Sequence, residues 1–416
     1  MSVLVRLPWV IFVRHGLVWD STYYFYSAKS IAAGHGYAIN GHPTAFLPVG
    51  WPAFLGGVFA LTGPSIWTVL VVNLLLWAVI TALVYLLARR VGGRATGLIA
   101  ALIVATSPTL TLYVLRAYSE ALFIPLLLLV CLLLTAERGT PKLRTTALAG
   151  VCLGFAILVR STATPLPVIL SLWLLLRRPM RESWRAALAL CAVSAAVVAP
   201  WILRNELVMH APVLSTNGGF TLYLTDRPWP PHGKHTVLMW AIASARDEVQ
   251  QNLHLTHLAE SYMLHDTSKW LEAVPGKFIN LMSWAPAPIL TALHFQHGPH
   301  PLLGATFTPP ASVPGPGGTL IRGGLDNTWI FRVWHYAFWT VGGVAMLLAL
   351  WRRKQAAGLI LLLVLFWIVF HSVFFFGDAR FMISVTPLVA VPLAWMLARG
   401  LAMFRGDTEE LSAYLN

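Results

Sequence analysis

Apolar runs of 15 to 23 residues, each closed off by a cluster of Lys and Arg, recur along the chain. That length is about what the ~30 Å hydrocarbon core of a bilayer demands of a helix, and no single soluble core absorbs so many of them. Of 416 residues, 57% are hydrophobic and 11% charged, against about 45–50% and about 25% in ordinary soluble domains. A soluble enzyme, a nucleic-acid module and a disordered chain are therefore excluded, and an all-α polytopic membrane protein is expected. The net charge of +13 sits largely in short loops between the runs, where the positive-inside rule accounts for it. It reports topology and gives no reason to expect a nucleic-acid partner.

The runs at 66–88, 95–115, 121–136, 186–203, 333–351, 356–376 and 382–404 predict membrane spans. Two shorter runs between 145 and 177, parted by Arg160-Ser161-Thr162, predict a tight or re-entrant hairpin, which brings the total to about nine or ten transmembrane helices. Val3–Trp19 offers 17 residues interrupted by Arg6, Arg14 and His15. That is about 25 Å of helix, so an abnormal first helix or a late start is expected. The loops 89–94, 137–144, 177–185 and 352–354, with the C-terminal end, hold 15 of the 29 Lys and Arg residues and are assigned to the cytoplasm.

That topology puts residues 20–65, the turn at 116–120, Arg160, the segment 204–330 and 377–381 on the outer face. Three regions follow: 1–203, transmembrane with an outer loop at 20–65; 204–330, extracytoplasmic loops and interfacial helices; and 331–416, the C-terminal transmembrane helices. The middle region carries most of the histidines and a Pro/Gly-rich stretch, 298–324. Between Val237 and Trp284 its apolar residues recur at helical spacing, as in amphipathic helices resting on a membrane. His254 and His257, or His294, His297 and His300, share helical faces, yet no acid or cysteine accompanies them at ligand spacing. No cofactor is expected, and a divalent metal finds no support. Cys131, Cys152 and Cys191 lie in apolar runs and offer no disulfide framework. Neither an Asn-X-Ser/Thr acceptor nor a small-residue cleavage site near the N-terminus is present, so an unprocessed chain is expected.

Acids are scarce enough to enumerate. Before residue 204 there are Asp20, Glu120, Glu137 and Glu182, and the last two sit among cytoplasmic Arg and Lys. Asp20 and Glu120 begin apolar segments at the outer face, on the side where Arg116, Arg160, Arg204 and Arg380 also fall. Ionisable residues at such boundaries are functional candidates, although snorkelling to water also explains them.

The run from Asp20 through Tyr23-Tyr24 to Gly34-His-Gly-Tyr37, followed by Pro43-Thr-Ala-Phe-Leu-Pro-Val-Gly-Trp-Pro52, resembles the first outer loop of the GT-C superfamily of polyprenyl-phosphate-sugar-dependent glycosyltransferases. Tyr118-Ser-Glu120, Pro200-Trp-Ile-Leu-Arg-Asn205 with Leu214-Ser-Thr-Asn-Gly-Gly219, and Gly377-Asp-Ala-Arg-Phe381 agree in order. The likeness is to the branch of lipopolysaccharide sugar transferases and, further off, protein O-mannosyltransferases and aminoarabinose transferases. It implies a GT-C-like bundle in a plasma (inner) membrane with its active site on the extracytoplasmic face. The implied reaction moves a sugar from a polyprenyl-phosphate donor to a hydroxyl acceptor on a glycan, lipid or protein, with inversion.

In that family the first-loop acid is the catalytic base, and Asp20 matches it. Many relatives carry a second acid directly after it, where this chain has Ser21, so a paired role falls to Glu120 or to nothing. A carboxylate takes the acceptor proton, and guanidinium groups stabilise the departing phosphate. Arg204 is the first choice for that task, with Arg160 and Arg380 next; Tyr24 and Glu120 complete the substrate-binding set. The competing functions are a lipid or sugar transporter or flippase and a noncatalytic assembly subunit. Clustering of charge at outer helix ends, away from the midplane, favours surface chemistry.

Overall fold

The computed structural model describes residues 1–12, 17, 20–136, 141–177, 179–225, 247–283, 329–352, 355–375 and 377–405. Arg14, His15, Trp19, Glu137, Arg138, Arg178, Arg353, Lys354 and the stretch 298–324, with His294, His297 and His300, lie outside the described residues. Among the described residues the elements are α1 (Ser2–Phe12), α2 (Asp20–Ala32), α3 (Gly50–Thr62), α4 (Ile66–Thr106), α5 (Pro108–Leu112), α6 (Glu120–Leu134), α7 (Leu143–Val159) and α8 (Leu166–Arg177). After them come α9 (Met180–Met209), α10 (Gly218–Thr225), α11 (Glu248–His265), α12 (Thr267–Glu272), α13 (Val274–Leu281), α14 (Trp329–Trp351), α15 (Gln355–Val373) and α16 (Thr386–Arg405). The only strands among those residues are β1 (Ala38–Ile39) and β2 (His42–Pro43), a two-residue antiparallel pair. The chain is thus an all-α bundle, as expected. Five segments, 66–106, 181–209, 332–351, 356–373 and 386–405, are long and apolar enough to cross a membrane.

At 41 residues, α4 would reach roughly 60 Å if straight, twice a bilayer's hydrocarbon. It folds back instead at Gly92 and Gly93, where the backbone leaves helical values and Gly93 takes φ +81° and ψ −171°. The arms then pack face to face: a Cβ on Gly97 would come 2.8 Å from the Tyr85 ring. The expected spans 66–88 and 95–115 are these two arms, with one correction. The second arm stops at Thr106, because Pro108 has no N–H to give the Val104 carbonyl. Arg6 of α1 supplies the missing donors: its Nη2 reaches Val104 O at 3.0 Å and its Nη1 reaches Ala105 O at 3.4 Å. A fully buried cation is thereby held by helix-end carbonyls, where the backbone dipole favours it.

The two ends of the bundle differ. Arg89, Arg90 and Arg94 flank the α4 turn, and Arg90 donates to Leu132 O near the end of α6. A Cβ on Gly92 would come 2.7 Å from Trp395 of α16. The runs between 145 and 177 form a hairpin, α7 and α8, with Arg160 at its apex. Gly150 and Gly154 let α7 close on α9: added Cβ atoms would lie 3.0 Å from Val193 and 2.6 Å from Val197, and Ser194 Oγ donates to Gly150 O at 3.1 Å.

The opposite end holds the irregular chain. Residues 107–119 form only the five-residue α5 and a 3₁₀ turn, Tyr113–Leu115, before α6, and irregular backbone at membrane depth needs protein partners. Asn73 Nδ2 donates to Val114 O at 2.9 Å and Arg116 O at 2.6 Å, while Trp51 Nε1 donates to Ala117 O at 2.9 Å. These three bonds fix where Glu120 begins its helix. The middle segment contributes α11, α12 and α13 at this end, and Trp270 of α12 meets Phe374 of α15 with ring centroids 6.2 Å apart.

Gly93→Ala is expected to cost roughly 1–3 kcal/mol, because its φ and ψ fall in a region essentially reserved for glycine. Gly57→Ala, in an open position inside α3, is expected to gain about 0.5–1 kcal/mol. Thermal midpoints of the detergent-purified variants, moving in opposite directions, check both.

Candidate active site

Four of the six residues singled out from sequence, Asp20, Tyr24, Arg160 and Arg380, line one cavity of about 440 Å³. Six phenylalanines contribute to its walls: Phe46, Phe220, Phe370, Phe374, Phe375 and Phe381. Its floor is charged. Asp20 opens α2, and Tyr24 lies one turn on, so helical spacing presents both to the same side. Arg160 ends α7, and Glu120 opens α6. Arg380 sits in the 3₁₀ turn Ala379–Ser384 before α16, whose start is capped by Asp378 accepting from the Arg380 N–H at 2.8 Å. Trp367 Nε1 donates to Phe381 O at 2.7 Å and fixes that turn against α15.

Arg380 is the hub. Its Nη1 lies 2.6 Å from Asp20 Oδ2, its Nε lies 2.8 Å from Glu120 Oε1, and its Nη2 lies 3.3 Å from Glu120 Oε2. Its guanidinium carbon stands 3.7 Å from the centre of the Tyr118 ring, a stacked cation–π contact. Arg160 Nη1 makes a second ion pair with Glu120 Oε1 at 2.9 Å. The two acids are not equivalent: the Glu120 side chain is 1% exposed and held by both arginines, whereas that of Asp20 is 24% exposed and meets only Arg380. Glu120 is the counter-ion that holds the two guanidinium groups side by side, and Asp20 is the acid offered to the cavity.

Burial disfavours charge on Arg380, but Glu120 and Asp20 more than offset it and hold the guanidinium well above its ordinary pKa. Burial raises the Asp378 carboxyl, with the Arg380 N–H and charge opposing the shift. The Tyr24 hydroxyl is raised by burial and then by Asp20, so it stays a proton donor. Arg160 Nε and Thr162 Oγ1, both on cavity-lining residues, are buried without a hydrogen-bond partner. Unpaired buried donors of this kind are costly unless a ligand takes them.

Arg204, the first choice for binding phosphate, does not line the cavity. Its Nη1 donates to Thr44 O at 3.2 Å and Asn205 Oδ1 at 2.9 Å, and its Nη2 donates to Tyr37 O at 3.1 Å. Its donors go to loop carbonyls, so it holds the first loop in place. Arg116 is buried beside the cluster's backbone and also stands off the cavity. His257, one of the histidines weighed as a ligand, is exposed and lies 3.6 Å from Glu260. Among the described residues no three His, Cys, Asp or Glu side chains gather as a metal site. Sequence reasoning missed Tyr118 as the platform under Arg380. It also missed Glu248, a buried acid of α11 that nothing in its spacing distinguished from the exposed charges nearby.

Residues 46–203 match the family described as dolichyl-phosphate-mannose-protein mannosyltransferase. Over its whole length the chain shares the fold of an archaeal oligosaccharyltransferase. It aligns with the Archaeoglobus fulgidus oligosaccharyltransferase, determined with Zn and sulfate, at 15% identity and TM-score 0.54, covering 100% of this chain and 50% of that one. A structure of the oligosaccharyltransferase AglB from the same organism, in complex with an inhibitory peptide and a dolichol-phosphate, matches at 13% identity and TM-score 0.52, covering 97% and 50%. ArnT from Cupriavidus metallidurans, bound to undecaprenyl phosphate, matches at 15% identity and TM-score 0.43, covering 96% and 78%. This chain spans about half the length of the oligosaccharyltransferases it resembles. No curated protein sequence matches it.

Removing Glu120 strands two buried guanidinium groups without their shared counter-ion. Glu120→Ala should therefore cost roughly 3–5 kcal/mol, and Asp20→Asn, at a partly exposed acid, under about 1 kcal/mol. Denaturant unfolding of both variants in detergent checks the ordering.

Proposed function

We propose that the chain is an inverting membrane glycosyltransferase that moves a sugar from a polyprenyl-phosphate donor to a hydroxyl acceptor at the extracytoplasmic face. The observation that carries this reading is the partly exposed pairing of Asp20 with Arg380 in a cavity, lined in part by aromatic rings, that also takes in Arg160. The family match over 46–203 supports a lipid-phosphate donor, as does the dolichol-phosphate bound by the similarly folded AglB. The glycan, lipid or protein nature of the acceptor belongs to the same proposal, as does a role in cell-envelope glycans.

The residues divide the work as follows. Asp20 Oδ takes the proton of the acceptor hydroxyl while that oxygen bonds to the anomeric carbon. The bond from that carbon to the phosphate oxygen breaks on the opposite face, which inverts the configuration, and the polyprenyl phosphate leaves with its electron pair. One base suffices, since the phosphate needs no proton to depart. Charge thus moves from Asp20 to the phosphate during the step. Arg380, whose bond to Asp20 weakens as the acid is neutralised, has five donors and spends three on the two acids. Its remaining donors, with those of Arg160, are suited to the growing phosphate charge. Tyr24 and Thr162 add neutral donors to the cavity lining. The aromatic walls exclude water and offer ring faces to the sugar and to the first prenyl unit.

Incubation with a panel of labelled polyprenyl-phosphate sugars tests the function, and transfer from none of them would sink it. Asp20→Asn should lower single-turnover transfer by about two to four orders of magnitude with donor binding retained. An active variant would move the base elsewhere. The outer-face assignment rests on the basic loops at the other end of the bundle. Single cysteines at His257 and Arg352, both exposed, should react with an impermeant maleimide from opposite sides of sealed cells, the first from outside.

A further inference from the structure

Glu248 is the first residue of α11 and 1% exposed, yet among the described residues it meets no cation within bonding distance: its partners are the neutral donors of Thr44, Ala45 and Thr216. Thr44 Oγ1 donates to its Oε2 at 2.7 Å, the Ala45 N–H donates to its Oε1 at 2.7 Å, and Thr216 Oγ1 donates to the same oxygen at 2.9 Å. Thr44 belongs to the first outer loop, and Thr216 to the turn before α10. The Thr216 N–H donates in turn to Ala45 O at 2.9 Å, so one carboxylate clamps both segments. The residues that follow each of them, Phe46 and Leu47 on one side and Asn217 and Phe220 on the other, wall the cavity.

The clamp reaches further inward. Tyr23 OH lies 2.7 Å from Thr44 Oγ1, and Thr44 Oγ1 also accepts from the Phe46 N–H at 3.1 Å. With its own proton committed to Glu248, Thr44 accepts from Tyr23. The donation then runs one way, from Tyr23 to Thr44 to Glu248. Tyr23 is fully buried on α2, one residue before Tyr24 and three after Asp20. Glu248 thereby sets the rotation of the helix that presents Asp20 and Tyr24. Burial raises the Glu248 carboxyl, with the Ala45 N–H, the Thr44 and Thr216 hydroxyls and the Arg204 charge pulling the other way. On the far side, Gly219 meets Asn252 of α11 so closely that a Cβ would lie 2.1 Å from its carbonyl oxygen, which leaves α10 and α11 no slack.

We propose that Glu248 is a positioning residue: it fastens the outer segment onto the first loop and holds Asp20 in register with Arg380, without touching substrate itself. This rests on the transfer reaction proposed above, so the test has an arm that does not depend on it. In hydrogen–deuterium exchange of the full chain in nanodiscs, Glu248→Ala should speed exchange across 37–48 and 215–221 by about tenfold or more, with α4 and α6 unchanged. Binding of undecaprenyl phosphate should stay within about twofold, while turnover falls about tenfold or more, so kcat drops and KM does not rise.

Glu248→Gln is the second variant. Its amide oxygen still accepts from Ala45 and Thr216 but its nitrogen cannot accept from Thr44, so protection at 215–221 should survive and turnover should fall to an intermediate value. Unchanged exchange at 37–48 in Glu248→Ala, or full turnover by that variant, overturns the proposal. If Glu248→Ala loses protection throughout the chain, the Gln variant decides: turnover equal to that of the unaltered protein overturns it. If the unaltered protein transfers from no donor, the function proposed above fails, and the fastening is judged by exchange and undecaprenyl phosphate binding alone.

Discussion

Four charged side chains brought together from four distant places in the chain are the constraint on which the rest depends. Asp20, Glu120, Arg160 and Arg380 come from the starts or ends of α2, α6 and α7 and from the turn before α16, and each touches at least one of the others. In a poorly solvated site such a group is tolerable only when every charge is paired and hydrogen-bonded. Any helix that slid along its axis by a turn would strand a charge. Electrostatics therefore sets the relative heights of these helices, while apolar packing, much the same at any height, cannot.

The neutral hydrogen bonds around this cluster serve the same end. Asn73 and Trp51 hold the unwound chain before Glu120, and Trp367 holds the turn carrying Arg380. Each is a buried side chain on a regular helix that donates to a carbonyl of irregular backbone. The site thus rests on unwound segments whose carbonyls are satisfied from rigid neighbours. This lets acids and arginines reach a cavity at the bundle's end without leaving peptide groups bare in lipid.

Arg204 shows why ranking arginines from topology alone misleads. It stands at the expected end of the expected helix, and by position it was as good as Arg380. What separates them is which acceptors lie in reach: carbonyls of the first loop for Arg204, two carboxylates and a cavity for Arg380. Glu248 is the converse case. Its position in a polar amphipathic segment resembled that of its exposed neighbours, and only its contact with residues some 200 places earlier distinguishes it.

The all-α architecture and the placement of its long apolar helices were legible in the sequence, as was the candidacy of Asp20, Glu120, Arg160 and Arg380, although about nine or ten spans were expected and five of the described helices are long and apolar enough to cross a membrane. Each follows from a local rule: an apolar run must be long enough to span, and a scarce acid at a helix end has few uses. Also local was the break at Pro108, although the run to residue 115 masked it. Three matters were left to the tertiary structure: that Glu120 lies beneath the site while Asp20 faces the cavity, that Arg380 outranks Arg204, and that Glu248 reaches the first loop. These depend on distances between residues remote in the chain, which periodicity and composition do not encode.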